Sequence, residues 1–324
     1  MRTIAVEEHF VTTNYVQGIG SDFFNRFKNM GPRGARIAEQ LSELGDKRVA
    51  EMDAAGIDLQ VLSLNSPGVE QAEAADAITC AREANDYLAD AIKRHPIRFA
   101  GFASLPIQAP DEAAKELERC VQQLGFKGAN INGHSRGRYL DDKFFSPFLA
   151  CAEALNVPLY LHPTVPHKPV ADALYGGFTP AVTGALASAG WGWHIETAVH
   201  LLRIILGGVF DRHPKLQVVV GHMGEAIPFM LPRLDRNLPP PLTILARPLA
   251  DYLRQNVHYT FGGFNFMPTF LNLLLEIGVD RIMFSVDYPY GSMEEAKSFL
   301  QHIPVCDSDR ERIAHTNAER LLRL

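Results

Sequence analysis

Side chains that bind metal ions follow several short apolar runs of the sequence, at the point where each run ends. The first run, in TIAVEEHF, ends on Glu7, Glu8 and His9. Two later runs end on His162, in LYLHP, and on Asp287, in FSVDYPY. Imidazole nitrogens and carboxylate oxygens are ligands for Zn²⁺ or Mn²⁺. Two of each, converging on one point, would bind one divalent ion and leave a coordination position open for water or substrate.

Strand geometry decides which of the first three residues join this set. Residues i and i+2 of a strand point to the same side, so Glu7 and His9 face one way and Glu8 the other. We assign Glu8 to a solvated strand end. Simpler interpretations exist for the others: a solvated end for Glu7, a hydrogen-bonded core position for either histidine, and a turn-forming role for Asp287. The joint occurrence of all four at matching positions favours the metal site.

Further polar residues end other apolar runs. Asn65 ends the second run, in LSLNSPG, and His222 and Glu225 follow the sixth, in VVVGHMGE. A packed histidine and an acid in the first turn of a helix would explain the last two as well. His194 and His200 lie six apart on one helical pattern and do not face together, so we assign both to structural roles.

The elements that position these residues alternate along the chain. Eight apolar runs are predicted as strands: 3–6, 59–64, 99–103, 128–131, 158–161, 216–220, 257–261 and 281–286. Segments with helical periodicity lie between them: 76–91, 110–124, 147–155, 196–210, 267–277 and 294–302. Continuous Val, Ile and Leu runs suit parallel strands buried on both faces. The pattern predicts a (β/α)8 TIM barrel, whose active site lies at the carboxyl ends of the strands.

An open, doubly wound sheet is the alternative fold, and the lack of a GxGxxG motif after the first strand weakens it. Two long insertions, about 14–36 and 163–191, follow the first and fifth predicted strands and would leave the catalytic face of a barrel. Each is predicted to be a lid or a subunit contact rather than an inert surface excursion. The whole chain, residues 1–324, is predicted to form one domain.

Composition excludes several classes of protein. The chain has 324 residues, 47% of them hydrophobic, with a net charge of −6 and a pI near 6.1, which argues against a nucleic-acid partner. No apolar run approaches the roughly 18 residues of a membrane span. We read no secretory signal. The four cysteines form no CxxC pair and look like reduced thiols. The sequence therefore predicts a cytoplasmic protein without a membrane partner.

The motifs EEH, LHP, GHMGE and FSVDYPY together resemble the amidohydrolase superfamily, over nearly the whole chain. The resemblance is to its metal-dependent aromatic decarboxylases, which act on γ-resorcylate, 2,3-dihydroxybenzoate or 5-carboxyvanillate, and to the related aminocarboxymuconate-semialdehyde decarboxylase. The Glu-x-His form of the first motif is typical of the benzoate decarboxylases, whereas the hydrolytic members mostly carry His-x-His. No lysine ends the fourth strand, so the resemblance implies a site for one metal ion.

The resemblance implies a role for each motif residue. The implied metal ligands are Glu7, His9, His162 and Asp287. His222 and Glu225 are implied as a second catalytic pair beside the metal. Arg233, in PRLDRN, matches an arginine that binds substrate across a subunit contact, and Tyr290 and Asn65 are predicted to contact substrate. Thr164 after LHP, and HYTFGGF in place of a sequence closer to TTSGNF, depart from the pattern near the substrate.

The resulting functional prediction is non-oxidative decarboxylation of a hydroxybenzoate-type acid. The phenolate and carboxylate oxygens of the substrate would chelate one Zn²⁺ or Mn²⁺ ion, and Asp287 would protonate the ring carbon. No organic cofactor would be needed. The alternative is hydrolysis of a lactone, ester or amide by a metal-activated water, with Asp287 as general base. A small aromatic carboxylate is the predicted ligand, and the family suggests a homodimer or homotetramer.

Overall fold

Parallel strands form the centre of the molecule in the computed structural model, which describes residues 1–28 and 30–324. Within these residues there are nine strands: β1 (Ile4–Phe10), β2 (Leu59–Leu64), β3 (Phe99–Gly101), β4 (Ala103–Ser104), β5 (Ala129–Asn132), β6 (Leu159–His162), β7 (Val218–Val220), β8 (Val257–Thr260) and β9 (Ile282–Met283). They pair in parallel, in the order β1-β2-β3 and then β4 through β9.

Hydrogen bonds close these strands into a barrel. Only Phe102 separates β3 from β4, and its amide donates to the carbonyl of Leu62 in β2 at 2.9 Å, so the two short strands are halves of one. The segment after β9 returns to β1, where the amide of Val6 donates to the carbonyl of Phe284 at 3.1 Å. The nine strands thus fill eight positions of a closed parallel barrel. The predicted TIM barrel is confirmed, and the open sheet is excluded.

Helices surround the barrel. Among the described residues they are α1 (Thr13–Gln17), α2 (Ser21–Lys28), α3 (Gly31–Ser42), α4 (Asp46–Ala55), α5 (Ala74–Arg94), α6 (Pro110–Gln122), α7 (Ser146–Leu155), α8 (Lys168–Tyr175), α9 (Pro180–Ala187), α10 (Gly192–Leu206), α11 (Val209–Arg212), α12 (Ile227–Asn237), α13 (Pro240–Thr243), α14 (Leu249–Gln255), α15 (Met267–Ile277), α16 (Met293–His302), α17 (Asp307–Glu311) and α18 (Asn317–Leu322). None of the described helices is both long and apolar enough to span a bilayer.

Local sequence explains where these helices begin and end. Proline at the first helical position followed by two acids starts α6, because the ring fits the first turn and negative charge suits a helix N-terminus. Gly56 ends α4 in the left-handed region, at φ 71°, where glycine carries no steric penalty. The predicted helix 196–210 is instead two helices, α10 and α11, because the pair Gly207–Gly208 interrupts it.

Apolar side chains pack on both faces of the strands, as the continuous runs predicted. Ile4, Val61, Phe102 and Val219 belong to a cluster of buried side chains drawn mainly from the strands, while a larger cluster joins the strands to the helices. Every residue of β1, from Ile4 to Phe10, is buried. A polar side chain on such a strand is therefore surrounded by protein whichever way it points.

The two insertions are largely helical. The first, about 14–36, contains most of α1, all of α2 and the start of α3, and its residue 29 lies outside the described part of the chain. The second, 163–191, contains α8 and α9. Each leaves the carboxyl end of a strand, β1 or β6, so both rise from the same face of the barrel. Their roles as lid or subunit contact, and the single domain, stay predictions.

Candidate metal centre and catalytic site

Four ligand-type side chains meet at the carboxyl ends of the strands. They are Glu7, His9, His162 and Asp287, and one ligand atom of each lies within 4.8 Å of the others. Two of them come from β1, one from the end of β6, and one from the segment that follows β9. The structure thus brings together the whole set that the sequence predicted, because parallel strands of a barrel end at the same face.

Hydrogen bonds determine which histidine nitrogens are free to bind a cation. Nδ1 of His162 lies 3.0 Å from the carbonyl of Pro163. A carbonyl only accepts, so Nδ1 carries the proton and Nε2 keeps its lone pair. Nδ1 of His9 is 3.3 Å from the hydroxyl of Ser63. Burial lowers the pKa of His9 to about 4 and that of His162 well below its usual value. Both imidazoles are therefore neutral, as metal ligands must be.

Glu7 supplies a buried negative charge at this point. Its Oε2 accepts a hydrogen bond from Thr260 at 2.8 Å, but its Oε1 has no hydrogen-bond partner among the described residues. Burial raises the pKa of Glu7, but the opposing effect of His222 and His162 is larger, so the pKa is lowered overall and the carboxyl group is ionised. A buried, half-satisfied carboxylate beside two neutral imidazoles is a costly arrangement without a cation. The donor set therefore fits a divalent metal ion.

Asp287 completes the set from an unusual backbone conformation. Its φ is 65°, in the left-handed region, and its amide donates to the carbonyl of Glu7 at 3.0 Å. Its Oδ1 lies 3.0 Å from Nε2 of His9, and 17% of its side chain is exposed. Burial, and then the charge of Glu7, raises the pKa of Asp287 well above its ordinary value. The predicted strand 281–286 is shorter in the structure, because the chain leaves the ladder before this turn.

The prediction for Glu8 is half wrong. Strand alternation does turn its side chain away from Glu7 and His9, but the side chain is fully buried rather than solvated. Its carboxylate accepts the backbone N–H groups of Val286, at 2.8 Å, and Tyr288, at 3.1 Å. Burial raises the pKa of Glu8 to about 8. The solvated interpretation fails because helices and the turn after β9 cover this face of β1.

A left-handed turn holds the second predicted pair. After β7, five consecutive residues have positive φ: 51° at His222, then 56°, 90°, 56° at Glu225, and 64°. Such a run is disfavoured for residues with a Cβ, and strain of this kind is common at functional sites. It brings Nδ1 of His222 to 2.7 Å from Oε1 of Glu225. Glu225 is therefore not the first-turn residue of an ordinary helix, since α12 begins only at Ile227.

His194 is a site residue that sequence reasoning missed. Its Nδ1 lies 2.7 Å from the other oxygen of Glu225, and its Nε2 lies 3.0 Å from the carbonyl of Ala189. The imidazole of His194 therefore bridges the Glu225 carboxylate and the backbone of the insertion. The predicted structural role of His194 left out this contact with the site, whereas His200 accepts a backbone N–H, that of Leu140, at 2.9 Å. Spacing along the helix gave no signal, because the partners of His194 come from a distant turn and the insertion.

Charge in the second cluster is concentrated on His222. Burial lowers the pKa of His222, but the carboxylates of Glu225 and Glu7 outweigh burial and raise it to about 10. The same contact lowers the pKa of Glu225, despite its burial. Nε2 of His222 is 3.9 Å from Oε1 of Glu7. His222 therefore presents a protonated nitrogen to the space beside the four ligand-type side chains.

Aromatic rings stand on two sides of these groups. The ring of Tyr290 lies 6.0 Å from that of His9, and Phe27 of the first insertion lies 6.5 Å from Tyr290. On the other side, Phe264 lies 5.4 Å from His222. The hydroxyl of Tyr290 donates to Oδ1 of Asn65 at 2.8 Å. The structure thus places Tyr290 and Asn65 at the site, joined to each other.

Arg233 is the one predicted site residue that the structure does not bring to the others. It lies on α12 with an exposed side chain. Its guanidinium takes part in no described hydrogen bond or ion pair, and its backbone carbonyl accepts from the side chain of Asn237 at 2.7 Å. A role for Arg233 at the site therefore requires a neighbouring subunit.

Comparison with known proteins agrees with this geometry. The sequence matches the amidohydrolase family over residues 7–324, and the chain belongs to that family. It is 38% identical to γ-resorcylate decarboxylase of Rhizobium radiobacter, over 99% of this chain and 98% of that one. The resemblance predicted from the motifs is confirmed.

Two solved structures are similar over the full chain. One is a 2,6-dihydroxybenzoate decarboxylase in complex with 2,6-dihydroxybenzoate, at 38% identity and a TM-score of 0.91, with 100% of both chains covered. The other is a dihydroxybenzoic acid decarboxylase from Polaromonas sp. JS666 with bound manganese and the inhibitor 2-nitroresorcinol. It is 37% identical, with a TM-score of 0.91, over 100% of this chain and 97% of that one.

Proposed function

We propose that the chain is a metal-dependent, non-oxidative decarboxylase of a hydroxybenzoate-type aromatic acid. The observation that carries the proposal is the cluster of four ligand-type side chains, bordered by Nε2 of His222 and by aromatic rings. Full-length relatives named as decarboxylases of dihydroxybenzoates support the same reaction. A planar, anionic substrate suits a site that combines a cation, a hydrogen-bond donor and aromatic walls.

The proposed metal ligands are Glu7, His9, His162 and Asp287, for one Zn²⁺ or Mn²⁺ ion. A relative with bound manganese favours Mn²⁺. A divalent ion held there supplies Lewis-acid stabilisation of negative charge on the phenolate and carboxylate oxygens of the substrate. Decarboxylation needs no redox change, and we propose no organic cofactor.

The side chains of the protein supply the proton and the orientation. The carboxyl group of Asp287 gives its proton to the ring carbon that bears the carboxylate. The bond from that carbon to the carboxylate then breaks, its electron pair restores the aromatic ring, and CO₂ leaves. Asp287 regains a proton from water for the next turnover. His222, held by Glu225, donates a hydrogen bond from Nε2 to a substrate oxygen.

The remaining predicted contacts surround the ring. We propose that Tyr290 and Asn65 act as one unit against the substrate, since their side chains are hydrogen-bonded. Arg233 of a neighbouring subunit would pair with an anionic group of the substrate, in a homodimer or homotetramer. The cysteines at 80, 120, 151 and 306 are all free, which suits the reducing cytoplasm that we propose as the compartment.

A substrate panel tests the reaction. The purified protein, supplied with Mn²⁺ or Zn²⁺, should consume at least one of γ-resorcylate, 2,3-dihydroxybenzoate and 5-carboxyvanillate. Release of one CO₂ per substrate and loss of the ultraviolet absorbance would show this, with Asp287→Asn as the inactive control. Turnover of lactones, esters or amides without CO₂ release would instead support the alternative, a metal-dependent hydrolase.

Metal removal tests the ligand set. Wild-type protein should contain about one transition-metal ion per chain by elemental analysis, and dialysis against a chelator should abolish its activity. Readdition of Mn²⁺ or Zn²⁺ should restore activity, and the better ion identifies the native one. His162→Ala should bind the metal ion at least about 10-fold more weakly than wild type, because one of four ligands is lost. A wild-type protein that is metal-free and active would contradict the proposal.

A further inference from the structure

Glu8 is the residue of the first motif that the proposed mechanism leaves unused. It stands between Glu7 and His9, which are two proposed metal ligands, but its side chain points to the opposite side of β1. There it reaches the segment after β9 and accepts the N–H groups of Val286 and Tyr288, at 2.8 and 3.1 Å. Each oxygen of the carboxylate takes one of these bonds. The two N–H groups are those immediately before and after Asp287.

The strand β1 holds three successive amides of this segment. The amide of Asp287 itself donates to the backbone carbonyl of Glu7 at 3.0 Å, and the amides on either side donate to the Glu8 carboxylate. The regular ladder of β9 has ended at Met283. Beyond it, Asp287 adopts a left-handed conformation, with φ 65°, that a residue with a Cβ rarely takes. The Glu8 carboxylate therefore adds two hydrogen bonds to the backbone bonds that hold this segment to β1, among them the one from the amide of His9 to the carbonyl of Tyr288 at 2.9 Å.

Burial of the Glu8 side chain has an energetic cost, which indicates that its carboxyl group has a role at this position. The side chain is fully buried, where an apolar residue would be less costly. The guanidinium of Arg48, also fully buried, lies 4.4 Å from the ring centre of Tyr288 and donates to the carbonyl of His9 at 2.8 Å. Buried polar groups thus lie on both sides of the segment that carries Asp287, and such groups are tolerated only where their hydrogen-bond partners are fixed.

We propose that Glu8 is a positioning residue for proton transfer: its carboxylate fixes the backbone on both sides of Asp287, so that the Asp287 carboxyl reaches the ring carbon of the substrate. This inference rests on the proposed decarboxylase function. Glu8 touches neither substrate nor metal. It acts only through the geometry of Asp287, and reactions of this kind are sensitive to displacements of about 1 Å.

Glu8→Gln is the direct test. The amide keeps one acceptor oxygen but turns an NH₂ group towards the second backbone N–H, so one of the two bonds is lost. With saturating Mn²⁺, kcat should fall about 10- to 100-fold, whereas the KM for the substrate should stay within about threefold. Metal content should stay near one ion per chain, since Glu7, His9 and His162 are intact. If Glu8→Gln does not fold, Glu8→Asp, whose shorter side chain cannot bring its carboxyl group to both backbone N–H groups, carries the same expectation.

Glu70→Gln is a matched control. Glu70 is also a buried carboxyl near the carboxyl ends of the strands, and its Oε1 accepts a backbone N–H, that of Asn132, at 2.7 Å. No described contact joins Glu70 to the segment of Asp287. Glu70→Gln should keep kcat within about threefold of wild type, because Glu70 does not position Asp287. Both variants place a buried amide where a carboxyl group was, so a general effect of that change would lower kcat in both. Equal kcat values for the two variants would overturn the inference.

Two further measurements separate positioning from a loss of stability. Thermal unfolding should be similar for Glu8→Gln and Glu70→Gln, so that a difference in kcat does not reflect a difference in folding. In D₂O, the wild-type enzyme should exchange the ring hydrogen of the phenolic product, since this is the reverse of protonation, and Glu8→Gln should slow exchange and kcat by the same factor. Exchange at the wild-type rate in Glu8→Gln would contradict the inference. If wild type releases no CO₂ from any substrate, the proposed function fails instead, which is a distinct outcome.

Discussion

At the scale of single residues, hydrogen bonds distinguish histidines that can bind a cation from histidines whose nitrogens are already occupied by protein acceptors. His162 gives one nitrogen to a carbonyl and keeps the other free, so it can bind a cation. His194 has an acceptor at each nitrogen and can bind nothing further. His222 lies between these cases, with Nδ1 committed to Glu225 and Nε2 directed to the site. Residue type alone does not distinguish these roles, because each depends on what the second nitrogen contacts.

The two nitrogens of His194 can be tested separately. Asparagine places an NH₂ group near the position of Nδ1, and glutamine places one near Nε2. His194→Asn should therefore keep the bond to Glu225 and hold kcat within about threefold. His194→Gln should lose that bond to a charged partner and lower kcat about 10-fold or more. Steady-state kinetics with metal analysis checks this, since neither variant should lose metal.

The matched pair has a clear failing outcome. If His194→Asn and His194→Gln lower kcat equally, the bond to Glu225 is not what His194 contributes, and the contact with Ala189 or the packing of the ring matters instead. If either variant loses the metal ion, the two clusters of the site are not separate.

At the scale of elements, strand ends bring the metal site together but leave little room around it. Gly262, two residues after the end of β8, has φ 53°, and a Cβ there would lie 2.5 Å from the amide nitrogen of His222 and 2.7 Å from Oε2 of Glu7. The same position therefore adjoins both clusters of the site. Backbone must pass this close for the left-handed turn after β7 and the strand β1 to face each other.

Gly262→Ala should disrupt the metal site. The methyl group displaces Glu7 or the turn after β7, and the left-handed backbone adds strain, for a total of about 3 kcal/mol in the free energy of unfolding. Metal affinity should fall by at least about 10-fold. Gly125→Ala is the control, because Gly125 also has positive φ, at 76°, but nothing lies within 4 Å of its Cβ position. It should cost about 1 kcal/mol and keep the metal. Denaturation curves measure the loss of stability in each variant, and metal titrations measure its metal affinity. Equal losses in Gly262→Ala and Gly125→Ala would contradict the steric argument.

The sequence was informative about the site wherever a strand end carries the residue. Glu7, His9 and His162 could be predicted because alternation and the barrel fold together fix where such side chains point. The remaining contacts depend on chain turns that have no local period. The left-handed run at His222–Ala226 was not foreseen, because positive φ is rare outside glycine. The burial of Glu8 was missed because it depends on helices and a turn distant in sequence.

At the scale of the whole molecule, large apolar side chains are exposed on the elements that leave the catalytic face. Leu174 and Phe178, in the second insertion, are 63% and 58% exposed, and Phe229, on α12, is 74% exposed. Arg233 follows Phe229 by four residues, so the two lie on the same side of α12. Large apolar side chains left exposed on such elements favour a protein contact there. We expect a second copy of the chain to cover them, as the predicted homodimer or homotetramer requires.

Light scattering should therefore show at least a dimer. Arg233→Ala should lower kcat/KM about 30-fold or more, because the substrate loses a charged partner, while metal content and thermal unfolding stay unchanged. Arg233→Lys, which keeps the charge but not the planar fork, should be intermediate. Without a subunit contact, the exposed Arg233 has no route to the site, and its substitution should then have no effect.

Subunit complementation decides whether Arg233 acts in the neighbouring chain. Arg233→Ala and Asp287→Asn chains, each nearly inactive, should regain activity when they are refolded together. In a mixed dimer one site receives the intact Arg233 of its partner and keeps its own Asp287, so a random mixture should reach about a quarter of wild-type activity. Refolding each variant alone is the control. If mixed dimers form but stay inactive, Arg233 does not reach across the contact, since hybrid assembly supplies every other group that the site needs.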